Sequence, residues 1–273
     1  MQAFFWLKRF WSCVARANAM ASAAIRAAMM SKNNGEGFAD LETVQSKIDH
    51  YREHPEALTT WLFDCLALGD AGSATVAFAL EREVSVTTLH LSNNRIGDLG
   101  ATAIAKALET NCTVTNLMLN DNEISNAGAL ALAKALEHNK TLTSLSLSNN
   151  PIEDLGATAL GKVLGLSPEE QRQVEQRTGR PAKLNSTLTR FYLNDNSLSD
   201  KGAQAVADGI THHARNGTVL EAIKIHRNEA MTPEGEAIVA DALAAVQKTN
   251  SKTKTKKGSS GAAGRQSRAS RGD

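Results

Sequence analysis

The chain has 273 residues, 42% of them hydrophobic, with 30 basic and 29 acidic residues and a formal charge of +1. No run of eighteen apolar residues exists, so no membrane-spanning helix is expected. Three widely spaced cysteines (Cys13, Cys65 and Cys112) exclude a disulfide framework and a paired CxxC metal site, and a reducing, intracellular setting is expected.

The near-zero charge conceals a partition. Residues 1–35 and 247–273 hold 13 basic residues and one acid, which leaves 17 basic against 28 acidic residues, a net of −11, in the middle. A body of that sign favours basic partners and opposes nucleic acid. Contact with nucleic acid or anionic membrane is therefore expected only through the basic ends.

Residues 1–38 form a basic, aromatic N-terminal segment. Phe4, Leu7, Trp11 and Val14 fall on one helical face, with Lys8, Arg9 and Arg16 elsewhere. Lack of acids among arginines and small residues resembles a mitochondrial or plastid presequence. The same features suit a helix lying on a membrane surface, or translation begun upstream of Met20, Met29 or Met30. A cytoplasmic location is expected, with the organelle as alternative.

Residues 39–60 are expected to hold a capping helix. Asp40 starts it, and Leu41, Val44, Ile48 and Tyr51 make one stripe before Pro55. That stripe suits the open end of a stack of repeats. His50 and His54 lie four apart on it, a spacing able to hold a metal, but no third ligand is evident from sequence and histidines late in a helix also suit its dipole.

Residues 61–246 repeat themselves at 28 residues. LHLSNNRIGDLGATAIAKALETNCTVTN is followed by LMLNDNEISNAGALALAKALEHNKTLTS and then by LSLSNNPIEDLGATALGKVL. About six units start near Trp61, Leu89, Leu117, Leu145, Phe191 and Ile223, the first degenerate. Each opens with alternating residues, a short strand with leucines inward. An asparagine follows (Asn94, Asn122, Asn150, Asn196, Asn228), whose amide has both donor and acceptor for buried turn groups. Next come Asp70, Asp98, Asn126, Asp154, Asp200 and Thr232, expected as N-caps, with a glycine two residues on in five units. Apolar residues at spacing four then predict a helix.

Strands pack ~4.8 Å apart and helices ~8–10 Å, so the stack must curve with strands inside. The expected fold is an α/β solenoid, a partial horseshoe with a concave parallel sheet and convex helices. The fourth unit carries an insertion near 165–184, where Ser167-Pro168-Glu169-Glu170 predicts a capped helix that Gly179 and Pro181 end. The fifth has four extra residues near His212-His213-Ala214-Arg215. The last helix is expected to run from Pro233 to about Val246, and residues 247–273 to be a disordered basic tail.

The pattern LxLxxNxIxxxGxxxIxxxL at 28 residues resembles the leucine-rich repeat family, and within it the ribonuclease-inhibitor-like subclass, over about residues 61–246. That subclass also occurs in nucleotide-binding innate-immune receptors and in Ran GTPase-activating protein. The resemblance implies protein binding through the concave face.

No P-loop, GxSxG, HExxH or paired CxxC appears in the sequence. No enzyme activity, cofactor, metal or small-molecule substrate is therefore expected. Asp98, Asp121, Glu123, Glu153, Asp154, Asp195 and Asp200 recur once per unit, which suits caps and an acidic rim better than a calcium loop. Strand alternation turns His90, Met118 and Asn120 toward the concave surface, then Arg190, Tyr192 and Asn194, then Lys224 and His226. A protein partner is expected there, gripped at the Arg190/Tyr192/Lys224/His226 end. The alternative, by resemblance to Ran GTPase-activating protein, is a GTPase regulator.

Overall fold

A computed structural model describes residues 41–54, 59–213 and 220–262, with side chains as far as residue 248. The N-terminal segment, the extra residues after His213 and residues 263–273 lie outside the described residues. Six strands form one parallel sheet in sequence order: β1 (Thr60–Leu62), β2 (Thr88–His90), β3 (Asn116–Met118), β4 (Ser144–Ser146), β5 (Arg190–Tyr192) and β6 (Ala222–Lys224). The register pairs Trp61 with Leu89, Leu117, Leu145, Phe191 and Ile223 in turn, so every repeat is aligned on its first buried residue. Helices form the second layer: α1 (Leu41–Glu53), α2 (Gly69–Leu80), α3 (Asp98–Thr110), α4 (Asn126–His138), α5 (Asp154–Leu164), α6 (Pro168–Thr178), α7 (Asp200–His213) and α8 (Pro233–Ala262). The chain is thus an α/β leucine-rich repeat solenoid.

The core lies between the layers. Leu89, Leu91, Ile96, Ile104 and Leu108 are fully buried, and so are their equivalents through the fifth unit, whereas Ile238 and Ala242 of the last are only half-buried. The alanine-rich helices bring neighbouring backbones close. Between α5 and α7 glycines make this possible: a Cβ on Gly209 would lie 2.3 Å from the carbonyl oxygen of Gly161.

Buried backbone groups that ordinary strand and helix ladders miss are met by three rows of side chains. In the first, Asn122 Oδ1 accepts from the N–H groups of Asn94 and Ile96 at 3.0 Å, and its Nδ2 donates to the carbonyls of Leu91 and Leu119. Asn94, Asn150, Asn196 and Asn228 repeat the arrangement. A second row, not anticipated from sequence, stands after the helices. Asn139 Nδ2 donates back to Leu108 and Asn111, while its Oδ1 accepts from Thr141 and Leu142. Asn111 and Asn185 do the same in the units on either side.

The third row corrects the expected caps. Asp98 and Asp154 are the first residues of α3 and α5, not their caps, and the cap positions are Gly97 and Glu153. Each acid instead serves the following unit. Asp98 Oδ1 accepts from Ser125 and Gly128, both at 2.8 Å, at the start of α4. Asp70, Asn126, Asp154 and Asp200 act likewise on α3, α5, α7 and α8. Here the repeat's glycine finds its reason: a Cβ on Gly128 would lie 2.8 Å from Asp98 Oδ1. Only Thr232 behaves as expected, accepting from the Gly235 N–H at 3.4 Å.

The ends and the insertion complete the stack. Val44, Ile48 and Tyr51 of α1 cover the first unit, and the Tyr51 ring stacks on Trp61 at 5.7 Å. The Tyr51 hydroxyl accepts from the Leu62 N–H at 2.9 Å and donates to the Leu62 carbonyl at 3.1 Å. In α6 both bonds of the Ser167/Glu170 capping box form, and Gly179 closes the helix at φ +68°. At the far end α8 continues past the expected stop at Val246 to Ala262. Extending a packed helix fixes one residue per hydrogen bond gained, so a polar stretch without proline can follow it.

Candidate functional site: the concave sheet face

The outward residues of the strands stand in rows set by the register. The central row runs Leu62, His90, Met118, Ser146, Tyr192 and Lys224. Its two ends differ in character. At the N-terminal end His90 Nδ1 lies 3.1 Å from Asp64 Oδ2, and the other Asp64 oxygen accepts from the Ser92 N–H. At the C-terminal end the Lys224 ammonium lies 5.7 Å from the centre of the Tyr192 ring, in reach of its electron-rich face.

The neighbouring rows flank this one. Arg190 is exposed and its Nε lies 3.7 Å from Glu221, which is also exposed. On the other side Asn120 Oδ1 accepts from the Ser146 hydroxyl and from the Ser148 N–H at 3.2 Å. Asn194 Oδ1 accepts from the Ser148 hydroxyl at 2.8 Å, while its Nδ2 donates to Asp195 at 2.7 Å. His226 is exposed beyond them.

Of the eight residues expected on this face, Tyr192 and Lys224 are brought into direct contact. Asn120 and Asn194 are joined through Ser148, His90 and Met118 sit toward the other end, and Arg190 and His226 stand on opposite sides of the Tyr192–Lys224 pair.

The sequence places Asp121 and Asp195 on an acidic rim but misses that they share a row, and a left-handed backbone, with Asn93, Asn149 and Arg227. Asn93, Asp121, Asn149, Asp195 and Arg227 all have φ between 53° and 59°. Asparagine and aspartate tolerate this left-handed conformation best among side-chain-bearing residues, and they immediately precede the buried asparagine of each unit, which was the available signal. Asp121, Asn149, Asp195 and Arg227 line a shallow polar pocket of about 470 Å³ with Asn120, Ser148 and Asn194. Asp195 accepts from Asn194 and from Arg227, the latter at 2.8 Å, and these bonds hold its carboxyl below the usual range. The basic end of the face therefore carries its own partial neutralisation by Glu221 and Asp195.

Elsewhere, His50 and His54 gain a third neighbour in Glu53, the ligand atoms of all three lying within 4.8 Å on the exposed side of α1. Among the described residues no helix is long and apolar enough to cross a membrane.

A family model described as Leucine Rich repeat matches residues 84–105, 110–133, 138–161 and 184–207, the central units of the stack. No curated protein matches the chain. Among solved structures, Leiomodin-1 Actin-Binding Site 2 (ABS2) is similar at 19% identity over 81% of this chain and 95% of that one, with a TM-score of 0.42.

Proposed function

We propose that this chain, a leucine-rich repeat protein by its sequence units and its fold, is a non-enzymatic scaffold. It binds a protein partner on its concave sheet, anchored at the C-terminal end. The 28-residue unit with a helix in every turn supports the ribonuclease-inhibitor-like subclass. The observation that carries the binding site is the contact between Tyr192 and Lys224, flanked by exposed Arg190 and His226. A half-buried ring supplies apolar area at low entropic cost, and tyrosine and arginine are frequent interface anchors. The Arg190–Glu221 pair is exposed on both sides, so exchanging Glu221 for a partner's carboxylate costs little.

Proximity labelling from separate N- and C-terminal tags identifies neighbours, and the purified full chain then measures affinity for each. Tyr192→Ala or Arg190→Ala is expected to weaken the true partner by roughly tenfold or more, with the thermal melt unchanged. Unchanged affinity in both variants places the anchor elsewhere.

A further inference from the structure

The outer layer of a solenoid of this kind meets water and is expected to be polar, yet two of the chain's large exposed apolar residues lie side by side on it. Leu130 of α4 is 60% exposed and Leu155 of α5 is 75% exposed. Both open onto one groove of about 860 Å³, walled on its far side by the inserted helix α6 and the chain that returns from it.

Each of the three helices gives this groove a single stripe. From α4 come Leu130, Ala133, Lys134 and Glu137, and from α5 Leu155, Ala159, Lys162 and Val163. From α6 come Glu170, Val174 and Arg177, spaced as one helical face. Apart from Pro168 at its start, Val174 is the only aliphatic side chain on α6, and it is half-buried against this groove. The returning chain is fastened to α4, with Lys140 Nζ donating to the Leu184 carbonyl at 2.8 Å and Lys183 Nζ 2.7 Å from His138 Nε2. The returning chain is thus tied to α4, and the floor of the groove is apolar.

The rim is basic. Lys134, Lys162, Arg177, Arg180 and Lys183 line the groove with two acids, Glu137 and Glu170, and Glu170 lies 3.8 Å from Lys162. A basic rim on a body that carries a strong net negative charge selects its occupant by sign. The chain's own ends are basic, the wrong sign for it. A trough bounded by three helical stripes suits a rod, whereas a lipid surface is flat.

We propose that the groove between α4, α5 and α6 is a second interaction surface, which takes an amphipathic helix with an acidic polar face from another protein. Its apolar stripe covers Leu130 and Leu155, and its carboxylates meet Lys134, Arg177 and Arg180. The surface lies on the layer opposite the concave sheet, so both can be occupied together.

The test uses the full chain and two fluorescent eighteen-residue amphipathic peptides, identical in their leucine stripe, one with a glutamate polar face and one with lysine. Anisotropy titration is expected to show the glutamate peptide binding at least about tenfold more tightly. Leu130→Ser with Leu155→Ser is expected to weaken it by more than tenfold without moving the melt, because both side chains are already exposed. Lys134→Glu with Arg177→Glu is expected to reverse the preference. Equal affinity for both peptides, or no effect of the leucine substitutions, overturns the proposal. So does a dimer in light scattering that the leucine substitutions dissolve, a crosslink from position 155 to the chain's own residues 1–40, or leucine-dependent binding to phosphatidylserine vesicles without peptide binding.

Discussion

Asp154 Oδ1 accepts the backbone N–H of Ser199 at 2.8 Å across 45 residues of chain, and its Oδ2 accepts the Ser199 hydroxyl at 2.6 Å. The helix it caps is α7, not the α5 that it begins. The whole inserted segment lies between the two residues, so the cap depends on stacking and not on local sequence.

Replacing that carboxylate strips acceptors from Ser199 and Gly202 at once. Asp154→Ala is expected to cost about 2 kcal/mol in urea unfolding. Asp154→Asn should cost less, since Asn126 holds the equivalent place and accepts from Gly156 at 2.8 Å. A local role confined to α5 predicts a loss no larger than that of an ordinary surface substitution.

The same carboxyl gives a pH signature. Burial acts to raise its pKa, but the bonds from Ser199 and Gly202 outweigh burial and hold it below the usual value. A depressed folded pKa means stability present above the unfolded value, about 3.9, and lost as pH falls through the folded one. The stability gap between the native chain and Asp154→Asn should therefore narrow below about pH 4, as read from denaturation midpoints at pH 7, 4 and 3.

His213 should act with the same sign as Asp154, in a higher pH window. It is fully buried, its Nδ1 lies 3.0 Å from the Leu164 carbonyl, and burial holds its imidazole below the ordinary value of 6.5 despite neighbouring carbonyls. The unfolded chain therefore binds the proton first, and stability rises with pH through that window. Denaturation midpoints should drop between pH 7.5 and 5.5, and His213→Gln should flatten that drop. An equal slope in both proteins removes His213 as its source.

Asn150 is nearly fully buried, accepts from Ile124 and donates to the Leu119 and Leu147 carbonyls. Asn150→Ala takes the acceptor from the buried Ile124 N–H and one of two side-chain donors from each carbonyl, Asn122 and Asn196 remaining, and is expected to cost about 2 kcal/mol. Asn150→Asp keeps the acceptor but loses the donor and buries a charge, so it should rescue nothing at neutral pH. Thermal melts of both variants decide this.

Two glycines separate crowding from backbone strain. A Cβ on Gly128 would meet Ile124 at 2.7 Å and Asp98 at 2.8 Å, whereas one on Gly179 would meet nothing within 4 Å. Gly179→Ala should cost only about 1 kcal/mol, for its left-handed φ. Gly128→Ala should cost at least twice that and lose the benefit of the Asp98 cap, which Asp98→Ala in the same background would reveal as non-additive.

Sequence was most informative where one residue type has one job. Strand alternation, the buried asparagine and the Ser167 capping box were legible because few geometries satisfy them. The aspartates were misread because an acid just before a helical glycine looks alike whether it caps its own helix or reaches the next. The second asparagine row was present as NCTVT, NKTLT and NSTLT, but its partners lie a full unit back. At the candidate site, the outward-facing residues could be assigned from period two alone. The pairings Arg190–Glu221 and Asp195–Arg227 could not, because each joins residues from different units.

The side-chain rows point in opposite directions along the stack. Asparagines reach back to the unit before, while Asp70, Asp98, Asn126, Asp154 and Asp200 reach forward to the unit after. No boundary between units can then be opened without orphaning polar groups on both of its faces. A shortened chain would expose a raw surface whichever end was trimmed, and cooperativity should extend further than nearest-neighbour apolar packing alone would carry it.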